Sequence, residues 1–287
     1  MKTLAKESEP IAPFNKILVP VDFSEISNNA LEYALHLAKK TNAEIHLLHV
    51  YDLQVFMYNP VQLSPPEYDL EEEIQQELEK LRKKVLSENP ESKVVSHATL
   101  GVPVDEINGY SQKKKIDLIV VGTQGAGYIQ ERVLGSTTSL LIRSAKKPVM
   151  VIDKEVIFKH PKQIVLAADF QKTDHKKVLE PLKDLAQLYE SHICVLNIYP
   201  HIQLIPSLEE IPEGFRLDYY LKDIEHTFFS LESNQVVPSI NQFISDYEID
   251  LIAMIARNHS FFSRIFREPL TKEMSFHSRF PLLVLHD

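Results

Sequence analysis

One feature limits the fold more than any other: the chain repeats itself. Gln163-Ile-Val-Leu-Ala-Ala-Asp169 matches Lys16-Ile-Leu-Val-Pro-Val-Asp22 at an offset of 147. Ile249-Asp250-Leu-Ile matches Ile116-Asp117-Leu-Ile at an offset of 133, and Pro281-Leu-Leu-Val matches Pro148-Val-Met-Val at the same 133. The difference of 14 places a deletion after the second strand of the second copy. A repeat this long, built of alternating short apolar runs and helical stripes, implies two copies of one α/β unit. We take them as domains 1–154 and 155–287, with the boundary between Lys154 and Pro161.

Within the first copy, Lys16–Val21, Ile45–Val50, Val94–Leu100, Ile116–Val121 and Pro148–Ile152 read as five strands. Ala30, Leu31, Ala34, Leu35 and Ala38 recur at helical spacing, as do Ile74, Leu78, Leu81 and Val85. The acids Glu71, Glu72 and Glu73 lie early in the second stripe and the bases Arg82, Lys83 and Lys84 late, as the helix dipole favours. Ile116–Val121 is apolar on both faces, which fits a central strand of a parallel sheet. The expected fold is two Rossmann-like units, each a five-stranded parallel sheet with helices on both faces, packed about a pseudo-twofold axis. The fifth strands are short apolar edges, and unpaired edges invite pairing.

Composition excludes several classes. The net charge of −9 gives no electrostatic footprint for nucleic acid. The longest apolar runs fall far short of the ~20 residues that span a bilayer, and the first residues lack the apolar core of a signal peptide. The single cysteine, Cys194, excludes an internal disulfide. The expectation is a cytoplasmic protein that binds neither nucleic acid nor membrane. Among the histidines, His46 and His49 lie on opposite strand faces. His192 and Cys194 can share a face, but two ligands do not make a zinc site; no metal ligands and no catalytic residues are assigned.

Of seven glycines, six fall between Gly101 and Gly135, so that stretch is shaped for close backbone approach. It contains Gly122-Thr123-Gln124-Gly125, then nine residues, then Gly135-Ser136-Thr137. Gly122 ends a strand and Gly125 presents a bare N–H. Gly135-Ser136-Thr137 opens a helix whose free N–H groups and dipole favour phosphate, with two hydroxyls added. The alternative is a plain strand-to-helix connection. In parallel sheets ligands sit beyond the carboxyl ends of the strands, where strand order reverses, and the cluster begins at such an end.

The spacing G-x2-G-x9-G-[S/T] resembles the ATP-binding branch of the universal stress protein family. So do the strand ending in Asp22, the following Phe23-Ser24-x-x-Ser27 and Ala30-Leu31-x-x-Ala34, and Leu100-Gly101-Val102-Pro103. The resemblance covers both halves, as in a tandem member. It implies ATP as ligand, with Mg²⁺ accompanying the phosphates. It places Asp22 at the adenosine, Val50 by the base, and Gly122, Gly125, Gly135 and Ser136 on the phosphates. Pro20, Val21, Thr123 and Thr137 complete the set. It also implies pairing through the fifth strands, which a tandem chain can satisfy internally, leaving a further homodimer open.

Asp22 has a second reading, shared with Asp169, as a helix N-cap; Ser24 and Ser27 read as helix-start residues. At the 133 offset Gly122, Gly125, Gly135 and Ser136 become Ile255, Asn258, Glu268 and Pro269. A carboxylate and a proline there would repel phosphate and remove a donor, so the second site is expected to be dead for ATP. Lys113-Lys114-Lys115 reads as a solvated helix end. Phe261 and Phe262 read as core or as a plug in the empty site, and Tyr58, Pro60, Pro65 and Pro66 as a lid or domain contact. The motif lacks the P-loop lysine. Binding with slow or no turnover is therefore expected; the alternatives are a slow ATPase and a nucleotide-free interaction module.

Overall fold

The computed structural model describes residues 13–51, 67–124, 134–170, 172–199, 210–256 and 279–287. The first half runs β1 (Lys16–Pro20), α1 (Glu25–Thr41), β2 (Glu44–Tyr51), α2 (Glu67–Glu88), β3 (Lys93–Leu100), α3 (Pro103–Lys113), β4 (Leu118–Gly122), α4 (Ser136–Ser144) and β5 (Val149–Ile152). The second runs β6 (Gln163–Ala167), α5 (His175–Tyr189), β7 (His192–Tyr199), α6 (Glu210–Leu221), β8 (His226–Glu232), α7 (Val236–Asp246), β9 (Leu251–Ala256) and β10 (Leu282–His286). The expected strands are all present, with β4 starting two residues later than read.

Asp117 explains that shift. It stays outside β4, and its Oδ2 accepts from the N–H groups of Asn15 (2.8 Å) and Lys16 (3.0 Å). Asp250 does the same for Lys162 (2.9 Å) and Gln163 (3.0 Å). The Ile-Asp pair that revealed the repeat is thus a clamp at the start of each first strand. Register carries the repeat further. Ile17 pairs with Ile45 and Leu118, while Ile164 pairs with Ile193 and Leu251. The main deletion falls between β7 and β8, where α6 has 12 residues against 22 in α2.

The ten strands among the described residues form one sheet in the order β3-β2-β1-β4-β5-β10-β9-β6-β7-β8. Pairs within each half are parallel; β5 and β10 join the halves antiparallel. Leu282 faces Val151, Leu283 faces Met150 and Val284 faces Val149. Met150 and Leu283 are equivalent positions of the repeat, so the pseudo-twofold axis passes between them. These apolar residues are almost fully buried, and the edge that one unit would expose is closed by its own copy.

Helices cover both faces. On one, Ala30, Ala34 and Leu37 of α1, Leu78 and Val85 of α2, Leu182 of α5 and Leu217 of α6 share a core with alternate strand residues such as Ile17, Val19 and Leu118. On the other, Ile107 of α3, Leu141 of α4 and Phe243 of α7 meet Leu18, Ile119 and Val149. His286, at the end of β10, reaches across the halves: its Nε2 donates to the Ile142 carbonyl of α4 at 3.0 Å. Among the described residues no helix is long and apolar enough to cross a membrane.

Candidate nucleotide site

The strand order 3-2-1-4-5 reverses between β1 and β4, and the crevice lies beyond their carboxyl ends. Pro20 ends β1 and Val21 and Asp22 leave it, Val50 stands one residue before the end of β2 and Gly122 closes β4, so three neighbouring strands bring these residues to one rim. The Val21 N–H donates to the Leu48 carbonyl at 2.9 Å, extending the ladder by one step. Its own carbonyl accepts from His49 Nδ1 at 2.8 Å, so the imidazole carries its proton on Nδ1. That ring stacks on Phe23, centroids 4.8 Å apart, and Phe23 holds a left-handed backbone with φ 64°. The turn from strand to helix is therefore pinned from above by a side chain of β2.

Asp22 does not cap α1. Ser24 is the N-cap, and its Oγ accepts from the Ser27 N–H at 3.1 Å. Asp22 Oδ1 accepts from the Ser24 hydroxyl (2.6 Å) and N–H (3.1 Å), so it orients the cap one step removed. In the second half the cap of α5 is Asp174, not Asp169. The shared N-cap reading of Asp22 and Asp169 is thus corrected: a cap needs its acceptor over the helix N–H groups, and both aspartates sit too early. Ser24 and Ser27 are helix-start residues, as read.

Gly122 does not adopt positive φ. It is needed because α1 comes too close: a Cβ there would lie 2.6 Å from Ile26 Cγ2 and 3.3 Å from the Ile26 backbone. Thr123 is almost fully buried; its hydroxyl donates to Asp153 Oδ2 at 2.7 Å, and its carbonyl accepts from the Gly135 N–H at 2.7 Å. Thr138 Oγ1 donates to the Gly122 carbonyl at 2.7 Å. These bonds seat the start of α4 against the end of β4.

Gly135 is the N-cap of α4, brings no side chain to the cap, and no acid stands in the first turn. Ser136 is exposed, Thr137 half-buried and Gly135 buried. With no side-chain cap from Gly135 and no acid in the first turn, a helix start flanked by neutral hydroxyls fits an anion. Gly125 lies outside the described residues. So do Asn258, Glu268, Pro269, Phe261, Phe262, Tyr58, Pro60, Pro65 and Pro66.

Asp153, Asn29, Thr138 and His49 carry contacts that the linear motif did not announce. Asn29 Nδ2 donates to the carbonyls of Asp153 (2.7 Å) and Val156 (2.9 Å), more than a hundred residues away in sequence. No local pattern encodes such pairs. At the opposite end of the sheet, His46 Nε2 faces Glu44 Oε1 at 2.8 Å and Nδ1 meets the Tyr110 hydroxyl at 3.0 Å. Burial pushes the His46 pKa down, and Glu44 opposes it. Burial also pushes the Cys194 thiol up to about 11. Among the described residues no three His, Cys, Asp or Glu side chains gather as metal ligands.

The Universal stress protein family model matches residues 13–153. A universal stress protein of Methanocaldococcus jannaschii is 35% identical over 143 residues, covering 49% of this chain and 83% of that protein. One from Bacillus subtilis is 34% identical over 147 residues, covering 48% of this chain and 99% of its own length. Both are single units where this chain has two. The crystal structure of a universal stress protein from Archaeoglobus fulgidus shares the fold across both halves: TM-score 0.67, 21% identity, with 94% of this chain and 95% of that one covered. The chain belongs to the universal stress protein family.

Proposed function

We propose that the first half binds an adenine nucleotide, ATP with Mg²⁺ in the leading form, and that the chain serves as a stress-response or regulatory protein without rapid turnover. One observation carries this reading: among the described residues the start of α4, at the strand-order reversal, has no side-chain cap and no acid in its first turn. An anion is what such a site lacks. Ser136 and Thr137 are the phosphate contacts; Gly135, whose own N–H is taken by the Thr123 carbonyl, admits the phosphate by its lack of a side chain, aided by Gly122 and Gly125. Pro20, Val21, Asp22 and Val50 line the nucleoside side, and Thr123 holds the wall rather than the ligand, because its hydroxyl is taken by Asp153. Two domains, 1–154 and 155–287, of which only the first binds, complete the proposal.

A thermal-shift titration with ATP, ADP and AMP tests it. Ligand at 100 times its dissociation constant adds about 2.7 kcal/mol to stability, and no shift with any of the three rejects the reading. Ser136→Ala should cost about 1 kcal/mol of binding, the scale of one hydrogen bond. Phosphate release by the purified chain separates binding from ATPase activity.

A further inference from the structure

The face of the sheet under α7 carries a polar cluster that the nucleotide site does not use. Gln163 starts β6, His192 and Cys194 lie on β7, and Thr227 lies on β8. Gln163 is level with His192, and Cys194 with Thr227. Residues two apart on a strand share a face, so all four side chains come together near the amino ends of these strands, far from the crevice.

Three donor atoms form a triangle. Cys194 Sγ is 3.6 Å from His192 Nδ1 and 3.8 Å from Gln163 Oε1, and that Oε1 is 3.2 Å from Nδ1. Tetrahedral ligands around zinc, with bonds of about 2.0–2.3 Å, stand about 3.3–3.7 Å from one another. A point roughly 2.2 Å from all three atoms therefore exists. The other ring nitrogen, His192 Nε2, lies 2.9 Å from Thr227 Oγ1. A hydroxyl can donate or accept. Without an ion it donates to Nε2 while Nδ1–H bonds Gln163. With an ion it accepts from Nε2–H, and the Nδ1 lone pair turns to the metal. That is the outer support a metal-bound imidazole requires.

We propose that His192 Nδ1, Cys194 Sγ and Gln163 Oε1 bind one Zn²⁺, with water as the fourth ligand. On binding, the S–H bond breaks, an S–Zn bond forms, and the proton passes to solvent. Thiolate and imidazole together select a borderline-soft ion over Mg²⁺ or Ca²⁺. The first half shows why the site belongs to the second alone. At the matching positions stand Lys16, Glu44 and His46, where an ammonium adjoins the site and Glu44 already engages the imidazole at 2.8 Å. His192 and Cys194 alone make no zinc site; the third ligand is an amide, a side chain outside the usual His, Cys, Asp and Glu ligand patterns.

Cobalt(II) is the probe. Cys194 is the chain's one cysteine, so a near-ultraviolet thiolate-to-cobalt band reports this site and no surface histidine. In the reduced full-length protein the band should saturate at one ion per chain and be displaced by Zn²⁺. Cys194→Ala should abolish it, His192→Ala should weaken affinity at least tenfold, and Thr227→Val, at an exposed position, should weaken it 10-fold or more. In the unaltered chain the band and its loss to Zn²⁺ are a readout that needs no variant to fold. No band overturns the site; a band whose affinity ignores His192→Ala does so too, because it would mean a thiolate binding alone.

Discussion

At the end of β1 and at the end of β6 the chain makes the same turn with different parts. Phe23 and Phe170 both hold left-handed backbone, at φ 64° and 48°. The Val21 and Ala168 N–H groups both donate to β2 and β7 carbonyls at 2.9 Å. His49 Nδ1 donates to the Val21 carbonyl, and Asn197 Nδ2 donates to the Ala168 carbonyl at 3.0 Å. One step further the halves part. The buried stripe Ala30, Leu31, Ala34, Leu37 and Ala38 of α1 matches Val178, Leu179, Leu182, Leu185 and Ala186 of α5 at an offset of 148. On that offset Glu25 corresponds to position 173, yet α5 begins at His175. The second helix starts later, and where Gly122 admits Ile26, the second half has Ile255. Backbone geometry that any β-to-α crossover needs is kept in both copies; the close helix approach that shapes the crevice is kept in one.

The sharpest way to break this comparison is to give the first half the second half's residue. Gly122→Ile puts a branched side chain where even a Cβ would meet Ile26 at 2.6 Å. The start of α1 must move, at a cost of about 3 kcal/mol, and nucleotide binding should vanish with it. Urea unfolding and the ATP thermal shift measure the two effects. Adding Ile26→Ala should restore part of the stability. Wild-type stability in the single variant would mean that α1 is not held where the geometry puts it.

The sequence disclosed this architecture because its signals were local or periodic: apolar runs, helical stripes, and a repeat in which Asp117 and Asp250 stand at matching places. It disclosed the uncapped start of α4, since Gly135 has no side chain whatever its surroundings. It did not disclose why Gly122 is glycine, because Ile26 approaches from nearly a hundred residues away. It left open whether Asp22 or Ser24 caps α1, because aspartate and serine compete for the same N–H groups. Only the backbone shows that the serine wins and the aspartate supports it. Thr123 looked like a ligand contact for the same reason; its partner Asp153 is 30 residues on.

A second test sharpens what the halves share. If the aspartate clamps are equivalent, Asp117→Ala and Asp250→Ala should destabilise by similar amounts. Each removes one carboxylate oxygen from two backbone N–H groups at 2.8–3.0 Å. The expected loss is about 1.5 kcal/mol apiece. The sites lie in different halves with no common partner, so the double variant should lose the sum. Chemical denaturation of the three variants measures it. A twofold or greater inequality would show that one half carries the sheet and the other rides on it.

The smallest expected effect concerns the helix pair that the deletion shortened. Asp184 of α5 occupies the position matched by His36 in α1, which stacks on Phe158 with centroids 4.5 Å apart. Partial burial, then repulsion from Glu180, pushes the Asp184 carboxyl up to about 6, with Lys183 opposing. The folded state therefore holds this proton more tightly than the unfolded chain, where a carboxyl titrates near 3.9. Its contribution to stability is full below about pH 4 and is lost as pH rises through about 6. Asp184→Asn, which cannot ionise, should raise the unfolding midpoint at pH 7 and leave it unchanged at pH 4. Solvent at this half-buried position screens the charge and keeps the gain below about 1 kcal/mol. Thermal unfolding at the two pH values reads it. A gain equal at both would trace to packing, and the second half would then be no less tightly built at α5 and α6 than the first at α1 and α2.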